Sequence, residues 1–275
     1  MRKLIYASLF RTVRWRLFWT ELGTALLMPA IILVNSYLQT NLTNAYVYKM
    51  ISQFFGHAPL VGVFVSVFAS KLWGRDYEWG TLRTKLSCGH ERYEVYLSYL
   101  FLTAMVGLTV TGLWILVYLT LGVPVLGLPG LDAGTFAIYI LSDLLLSIAI
   151  SSICTLLCSV SEQEAQGLRR CLIAVSVMIV LGLILYKRFS IPQHQGWIMF
   201  HDDPSTIQPA EAGLYVGGTA RIWLELTICM LPGAQGILLL EQKVEHLFLP
   251  SACSLLVIVL TTVWGLRLLE RKEVK

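Results

Sequence analysis

Charged side chains are scarce in this sequence. Asp, Glu, Lys and Arg make up 14% of the 275 residues, whereas hydrophobic residues make up 56%. Ordinary soluble domains carry about 25% charged residues. With a mean hydropathy of +0.68, the chain has more apolar surface than a soluble core of this size could bury. The composition therefore excludes a soluble globular domain and predicts that lipid surrounds most of the chain.

Motifs for nucleotide binding and for hydrolysis are absent as well. No G-x-x-x-x-G-K-[ST] segment occurs, so the chain lacks the loop that cradles nucleotide phosphates, and H-E-x-x-H and G-x-S-x-G are also missing. Cys154 and Cys158 lie one helical turn apart, but no further ligands accompany them as a zinc site would require. We expect no catalytic residues, no metal and no cofactor in this chain, and we do not expect it to be an enzyme.

Long apolar runs dominate what is present. A membrane-spanning helix needs about 20 apolar residues, with a range of about 17–25. Six runs meet this requirement and predict an all-α integral membrane protein with six transmembrane helices in a single domain, 1–275. The predicted spans are Leu17–Tyr37, Phe54–Trp73, Tyr96–Leu121, Phe136–Ser159, Cys171–Tyr186 and Pro250–Leu269.

The basic residues predict the orientation of these spans. Most of the 21 Lys and Arg residues lie before the first span, after the last, or in the loops that join span two to three and span four to five. The positive-inside rule places these segments in the cytoplasm, together with both termini. Topology therefore explains the net charge of +4 better than a nucleic-acid partner does, and we expect none.

The N-terminal segment, 1–16, has the pattern of an amphipathic helix. Ile5, Phe10 and Val13 share one face, while Arg11 and Arg14 share the other with neighbouring hydroxyl residues. Such a helix lies in the interface of a membrane with its apolar face towards lipid. We therefore predict an N-terminal interfacial helix.

One further apolar run, Ile222–Leu240, is interrupted by Pro232 and Gly233. Counting it as a seventh span would place the basic C-terminus outside, against the positive-inside rule. We therefore predict a broken pair of short helices that enters the outer leaflet, turns back at Pro232-Gly233 and precedes the last span. This pair belongs to a predicted extracellular loop, 187–249.

The predicted cytoplasmic loop 74–93 is the most informative segment. It carries charges of both signs and is too long for a tight turn. Thr81 is expected to cap a short helix, Arg83–Ser87, which Gly89 ends. A short exposed helix between two spans can transmit force between the membrane and a soluble partner.

The residues of this loop resemble those of a known family. The pattern Glu78-x-Gly80-Thr81-Leu82, followed by Leu86, Gly89 and Arg92, resembles the corresponding loop of ABC-2-type transporter permeases. The N-terminal helix, the six spans and the broken pair are also similar to that family. Within it, bacteriocin or lantibiotic immunity permeases are the most similar subgroup.

The resemblance implies the permease subunit of an ATP-binding cassette exporter in a bacterial plasma membrane. Its substrate would be amphipathic, either a peptide such as a lantibiotic or a lipid-like molecule. Two cytoplasmic ATPase subunits would bind ATP and Mg²⁺, and a second permease, identical or related, would complete the complex. The loop helix would then be the ATPase-coupling helix, with polar contacts from Glu78, Arg83, Lys85 and Arg92. The alternative is a solvated loop whose charges only set the topology.

Ionisable residues at membrane depth are functional candidates by default. Asp143 in the fourth span either lines a translocation path or bridges helices. Glu21, near the inner end of the first span, is a second candidate for the path and is expected to reach the interface or pair with a basic residue. We expect His57 to lie at the interface and Glu225 to be paired or to face water.

Two other classes of function remain open. A secondary transporter would show discontinuous helices in both halves, whereas only one broken pair is visible. An intramembrane enzyme would need a nucleophile or a metal constellation, and no convincing one occurs.

Overall fold

The computed structural model describes residues 2–40, 53–126, 132–191, 194–199, 207–211, 216–241, 244 and 246–271. Apart from turns and short connections, these residues form helices and one two-stranded hairpin. The helices are α1 Arg2–Val13, α2 Arg16–Thr40, α3 Val61–Glu78, α4 Thr81–Ser87, α5 Arg92–Val117, α6 Val123–Leu126, α7 Ala133–Ser159, α8 Glu164–Phe189, α9 Thr219–Met230, α10 Pro232–Glu241 and α11 Leu249–Arg271; a π-helical turn, Tyr118–Gly122, joins α5 to α6, and the strands are β1 His194–Met199 and β2 Ile207–Glu211.

Five described helices are long and apolar enough to cross a membrane, or six if the bent pair α9–α10 counts as one crossing. They are α2, α5 with its π-helical continuation, α7, α8 and α11, and each contains one of the predicted apolar runs. These helices indicate a membrane-embedded protein, because their apolar length matches the bilayer core.

The second predicted span differs from the observed helix. The prediction was Phe54–Trp73, but residues 55–60 form turns and α3 runs from Val61 to Glu78. The last part of α3 carries Arg75, Asp76 and Glu78. These charged residues keep α3 from meeting the hydropathy requirement for a membrane-spanning helix. α3 packs against α5, α7 and α8 and buries most of its residues. Protein contacts therefore replace lipid around this helix and accommodate charges that a lipid-facing helix could not.

The N-terminal helix α1 is amphipathic, but its inward face is partly polar. Leu4, Ser8 and Thr12 are buried against the protein, at the spacing that places them on one side of a helix. Tyr6 and Phe10 point outwards, with exposed fractions of 75% and 58%. Hydroxyl groups expected to face solvent thus face the protein core, and Thr12 satisfies its hydroxyl by donating to the carbonyl oxygen of Ser8.

The predicted break in the run before the last span is confirmed. α9 and α10 are bent by 112°, and Pro232 is the first residue of α10, where its missing N–H costs nothing. The second helix is almost wholly buried. Gln235 fixes it to α11, since its amide donates to the carbonyl oxygen of Pro250 at 3.0 Å and accepts from the Ser254 hydroxyl at 2.9 Å.

The strands β1 and β2 were not predicted. They form an antiparallel hairpin whose register pairs Met199 with Ile207 and Trp197 with Pro209, with an irregularity towards His194. The hairpin lies within the predicted loop 187–249, and the all-helical class predicted for the chain is confirmed by the other described elements. Antiparallel strands close in sequence satisfy each other's backbone hydrogen bonds locally, which a scan for apolar runs does not detect.

A glycine substitution tests the packing of the bent pair. A Cβ atom added at Gly233 would lie 2.9 Å from Cβ of Met178 and 3.1 Å from the backbone nitrogen of Ile179 on α8. We expect Gly233→Ala to destabilise the protein by about 1–3 kcal/mol, because α8 and α10 must move apart. Thermal unfolding of the purified protein in lipid nanodiscs measures this loss.

Gly112→Ala is the matched control, since a Cβ atom there meets nothing within 4 Å. The control is expected to keep or slightly raise the wild-type unfolding temperature, because alanine is the better helix former. Equal unfolding temperatures for both variants would contradict close packing of α10 on α8.

Candidate functional site between helices α3 and α5

The short helix α4 is delimited by two glycines with positive φ. Gly80 precedes it with φ of 65° and Gly89 follows it with φ of 86°, a region that side chains with a Cβ atom rarely adopt. The helix begins at Thr81, so the prediction that Thr81 caps a helix starting at Arg83 is wrong. Gly80 holds the cap position, and the Thr81 hydroxyl donates to the carbonyl oxygen of Asp76 at 3.3 Å. The prediction that Gly89 ends the helix is confirmed.

One face of α4 is anchored in the protein and the other is exposed. Leu82 is buried, and Leu86 packs against the same core. The opposite face presents Arg83, Thr84 and Ser87 to the surroundings. The helix is therefore a fixed element with a free polar surface.

A buried carboxylate, Asp76, lies at the base of this segment. Arg11 of α1 donates to both of its oxygens, at 2.6 and 3.1 Å, and the Lys85 ammonium donates to Oδ2 at 2.6 Å. The Tyr99 hydroxyl of α5 also donates to Oδ2 and accepts from Lys85 at 2.7 Å. We call Asp76, Arg11, Lys85 and Tyr99 the Asp76 cluster. It joins α1, α3, α4 and α5 through one side chain that has no exposed surface.

The Asp76 cluster keeps its carboxyl ionised. Burial would raise the pKa of Asp76, but the hydrogen bond from Arg11 acts against it, together with the charge and hydrogen bond of Lys85 and the hydrogen bond of Tyr99. The result is a pKa well below the usual carboxyl value. Burial lowers the pKa of Lys85, and the contact with Asp76 opposes that change.

The two flanks of α4 are tied to other helices. The Glu78 carboxylate accepts a hydrogen bond at 3.0 Å from the backbone N–H of Glu164, the first residue of α8. Arg92, the first residue of α5, donates to the carbonyl oxygens of Leu269 and Glu270 in the last turn of α11, at 2.9 and 2.8 Å. Both contacts complement the charge at a helix end. The residues on both sides of α4 are therefore held by other helices of the bundle.

These contacts assign internal partners to three of the four side chains that we expected to contact an ATPase. Glu78, Lys85 and Arg92 hold the segment to the rest of the chain. Arg83 is the one of the four that extends from the exposed face. Gly80, Thr81, Leu82, Leu86 and Gly89 shape and anchor the helix.

The intramembrane candidates lie in three separate places. Glu21 is buried, and neither carboxylate oxygen has a hydrogen-bond partner among the described residues, so the expected pairing with a basic residue is not observed there. His57 is buried within the protein, with Nε2 2.9 Å from Oδ2 of Asp143. Glu225 is paired as expected, since it accepts from the backbone N–H of His246 at 3.1 Å and contacts its Nδ1 at 2.8 Å.

Sequence reasoning did not single out Asp76, Arg11 or Tyr99. Asp76 lies 65 positions from Arg11 and 23 from Tyr99, so no local motif unites them. The available signal was an acid at the charged end of an otherwise apolar helix, close to Trp73, whose ring packs 4.4 Å from that of Tyr99.

The fold and these contacts define a membrane-embedded helical protein with an anchored, exposed helix between α3 and α5. No protein-family model matches the sequence, and no curated protein is significantly similar to it.

Removing the charge of Asp76 tests the cluster. We expect Asp76→Asn to lower the free energy of unfolding by about 3–5 kcal/mol, because Arg11 and Lys85 would be left without their buried counter-charge. Since the folded-state pKa of Asp76 is lowered, its contribution is fully present above the ordinary carboxyl pKa of about 3.9 and is lost as pH falls through the lower, folded-state value. Unfolding of the purified protein at pH 7 measures the difference.

Asp132→Asn provides the control. Asp132 caps α7 by accepting from the N–H of Gly134, and Asn caps helices about equally well. The control is expected to stay within about 0.5 kcal/mol of wild type. An Asp76→Asn protein as stable as this control would show that the cluster contributes no stability.

Proposed function

We propose that this chain is the permease subunit of an ATP-driven exporter of the ABC-2 type. It moves an amphipathic substrate, either a peptide such as a lantibiotic or a lipid-like molecule, out of the cell or membrane. A separate ATPase supplies the energy, since this sequence has no phosphate-binding loop.

The observation that supports this proposal most is the construction of α4. It exposes Arg83, Thr84 and Ser87, whereas Leu82 and Lys85 fix it to the core. A helix that only filled a solvated loop would not need these anchors, nor flanking residues such as Glu78 and Arg92 that are bound to α8 and α11. An anchored helix with a free face is suited to receive a push from a soluble partner and to transmit it to several membrane helices at once.

The proposed topology has six crossings, with α3 as the second and its turn segment 55–60 towards the outer side. An even number of crossings places both termini on the same side, in the cytoplasm. α4 lies on that side too, because it follows the second crossing. The α9–α10 pair then re-enters the outer leaflet and turns back at Pro232-Gly233, covered by α8 and α11 as irregular backbone at membrane depth requires. α1 lies in the inner interface, with Tyr6 and Phe10 towards lipid.

The proposed complex contains two permease chains, identical or related, and two ATPase subunits that bind ATP and Mg²⁺. It resides in the plasma membrane of a bacterium. The exposed face of α4 contacts the ATPase, with Arg83 as the charged residue of that contact.

Cys88 allows a direct test of the topology. It is exposed, whereas the other five cysteines are buried. A membrane-impermeant maleimide should label the wild-type protein in inside-out vesicles and not in intact cells, and Cys88→Ser should abolish the labelling. Labelling from outside intact cells would place α4 on the wrong side and end the proposal.

Charge reversal tests the contact with the ATPase. We expect Arg83→Glu to reduce co-purification of the Walker-motif ATPase, and the ATP hydrolysis of the complex, by about tenfold or more, because a charged contact in a protein interface contributes roughly 1.5 kcal/mol or more. Unfolding should stay near wild type, since Arg83 is exposed.

Arg169→Glu is the matched control: Arg169 is also exposed, in the first turns of α8, so a general effect of charge would appear in both variants. Arg83→Glu with unchanged ATPase binding and transport would remove α4 from the coupling role.

A secondary transporter driven by an ion gradient is the second candidate. The buried pair His57 and Asp143, 2.9 Å apart, favours it, because such pairs often carry ions or protons through membranes. Flux in liposomes that contain only this chain, driven by an ion gradient without ATP, would support this candidate over the exporter.

A further inference from the structure

The carboxylate of Glu21 is buried without a partner in the first membrane-length helix. Glu21 lies in the second turn of α2, near the N-terminal end of that helix, and is only 7% exposed. Neither carboxylate oxygen has a hydrogen-bond partner among the described residues. Ionisable groups at membrane depth are costly, and buried polar groups without a partner are rare. This carboxylate therefore calls for an explanation.

The basic side chain whose field acts on Glu21 does not bind it. Lys71 of α3 lies within electrostatic reach of the carboxylate, but the two form no hydrogen bond. Two other cations of this region, Arg11 and Lys85, are engaged with Asp76 instead. Within the described part of the chain, no side chain supplies Glu21 with a direct counter-charge.

Two adjoining spaces lie between α2 and α5 beside this carboxylate. The smaller, of about 10 Å³, is lined by Glu21 and by apolar residues of both helices. The larger, of about 130 Å³, is also lined by residues of α1. Phe18, Val106 and Thr109 line both spaces, so the two are neighbours. We call the two spaces together the Glu21 cleft.

The two spaces differ in what they can hold. The smaller has roughly the volume that one water molecule needs, which is also about the size of an ammonium group. The larger is lined mostly by apolar side chains, among them Leu102 and Met105 of α5. Apolar cavities of about 150 Å³ bind benzene, so the larger space suits one aromatic ring or a short alkyl chain.

The polar groups that line the Glu21 cleft can only accept hydrogen bonds from a ligand. The Thr109 hydroxyl donates to the carbonyl oxygen of Met105 at 2.6 Å, and the Thr12 hydroxyl donates to that of Ser8 at 2.9 Å. The hydrogens of both hydroxyls are therefore engaged, whereas their oxygens can still accept. Together with the Glu21 carboxylate, they match a head group that is cationic and carries only donors, as an ammonium group does.

The position of the Glu21 cleft gives it access from the membrane. It lies where α1, α2 and α5 meet, and α2 carries large exposed apolar side chains such as Leu27 and Ile31. In the proposed topology, the N-terminal end of α2 is at the level of the inner leaflet. An amphiphile dissolved in that leaflet can therefore reach the cleft without leaving the hydrocarbon.

We propose that the Glu21 cleft binds an amphiphile with an ammonium head and an aromatic or short alkyl body. The ammonium donates to the Glu21 carboxylate and to the Thr109 hydroxyl, and the apolar body occupies the larger space. Charge complementarity selects this ligand, because a neutral head would leave the carboxylate without a counter-charge and an anionic head would be repelled. As a statement about the exported substrate this proposal rests on the proposed function, whereas the binding site does not depend on it.

Fluorine NMR titrations of the purified chain in nanodiscs of zwitterionic lipid test the site, without any ATPase. The probes are para-fluorobenzylammonium and the neutral para-fluorobenzyl alcohol, and empty nanodiscs serve as the reference for partitioning into lipid. We expect the wild type to bind the ammonium about tenfold or more tightly than the alcohol. Glu21→Gln should remove this preference, because the charge-assisted hydrogen bond is lost.

Glu270→Gln is the matched control, since Glu270 is exposed in the last turn of α11, and it should keep the preference. Equal affinities of the wild type for the two probes, or an unchanged preference in Glu21→Gln, would overturn the proposal.

A second pair of variants keeps the test decisive if Glu21→Gln does not fold. Met105 lines the larger space and is 40% exposed, so a larger side chain can be accommodated there. Met105→Trp should fill that space and weaken the binding of both probes about tenfold, through loss of apolar contact area. Phe101→Trp changes an exposed position of α5 outside the lining of the cleft and should leave both affinities unchanged. Equal affinities of these two variants would contradict the placement of the ligand. Because no ATPase takes part in these titrations, binding of the ammonium without any coupling to an ATPase would keep this site and contradict only the exporter.

Discussion

The carboxylate of Asp76 has no contact with solvent, and its charge is balanced by two cations and a phenol from other elements. Taking an ionised carboxylate out of water costs several kcal/mol unless its partners are well placed. Arg11 supplies a bidentate contact from α1, Lys85 supplies a second cation from α4, and Tyr99 completes the set from α5. The positions of α1 and α4 relative to the bundle depend on this balance, because moving either one separates a buried charge from its partner.

The segment at Asp76 also shows why hydropathy predicts some helices better than others. The five membrane-length helices are apolar over most of their length, so hydropathy detects them directly. α3 is enclosed by other helices and is charged at one end, so its observed bounds, Val61–Glu78, differ from the predicted Phe54–Trp73. The break at Pro232-Gly233 was predictable because proline and glycine act locally. The hairpin β1–β2 was not predictable, because the pairing of its two strands does not follow from the pattern of apolar residues.

The candidate site was predictable as a location but not as a set of contacts. The glycines and the charge pattern of 74–93 place a short helix between two spans. The partners of its residues come from distant parts of the chain: Arg92 binds carbonyl groups 177 and 178 positions away. Residues that were expected to contact a partner protein therefore form hydrogen bonds within the chain instead. The exposed face, with Arg83, is what remains for recognition.

A row of hydroxyl side chains lies at the contact between α5 and α7, in the region between the Asp76 cluster and the His57–Asp143 pair. Thr103 donates to the carbonyl oxygen of Tyr99, and its hydroxyl is 2.7 Å from that of Thr155; Ser151 donates to the carbonyl oxygen of Thr103. Helices joined by such small polar residues pack closely. A shift of α5 at its Tyr99 end would therefore alter its register against α7, and with it the environment of Asp143. The Asp76 cluster and the His57–Asp143 pair thus lie along the same interface between α5 and α7.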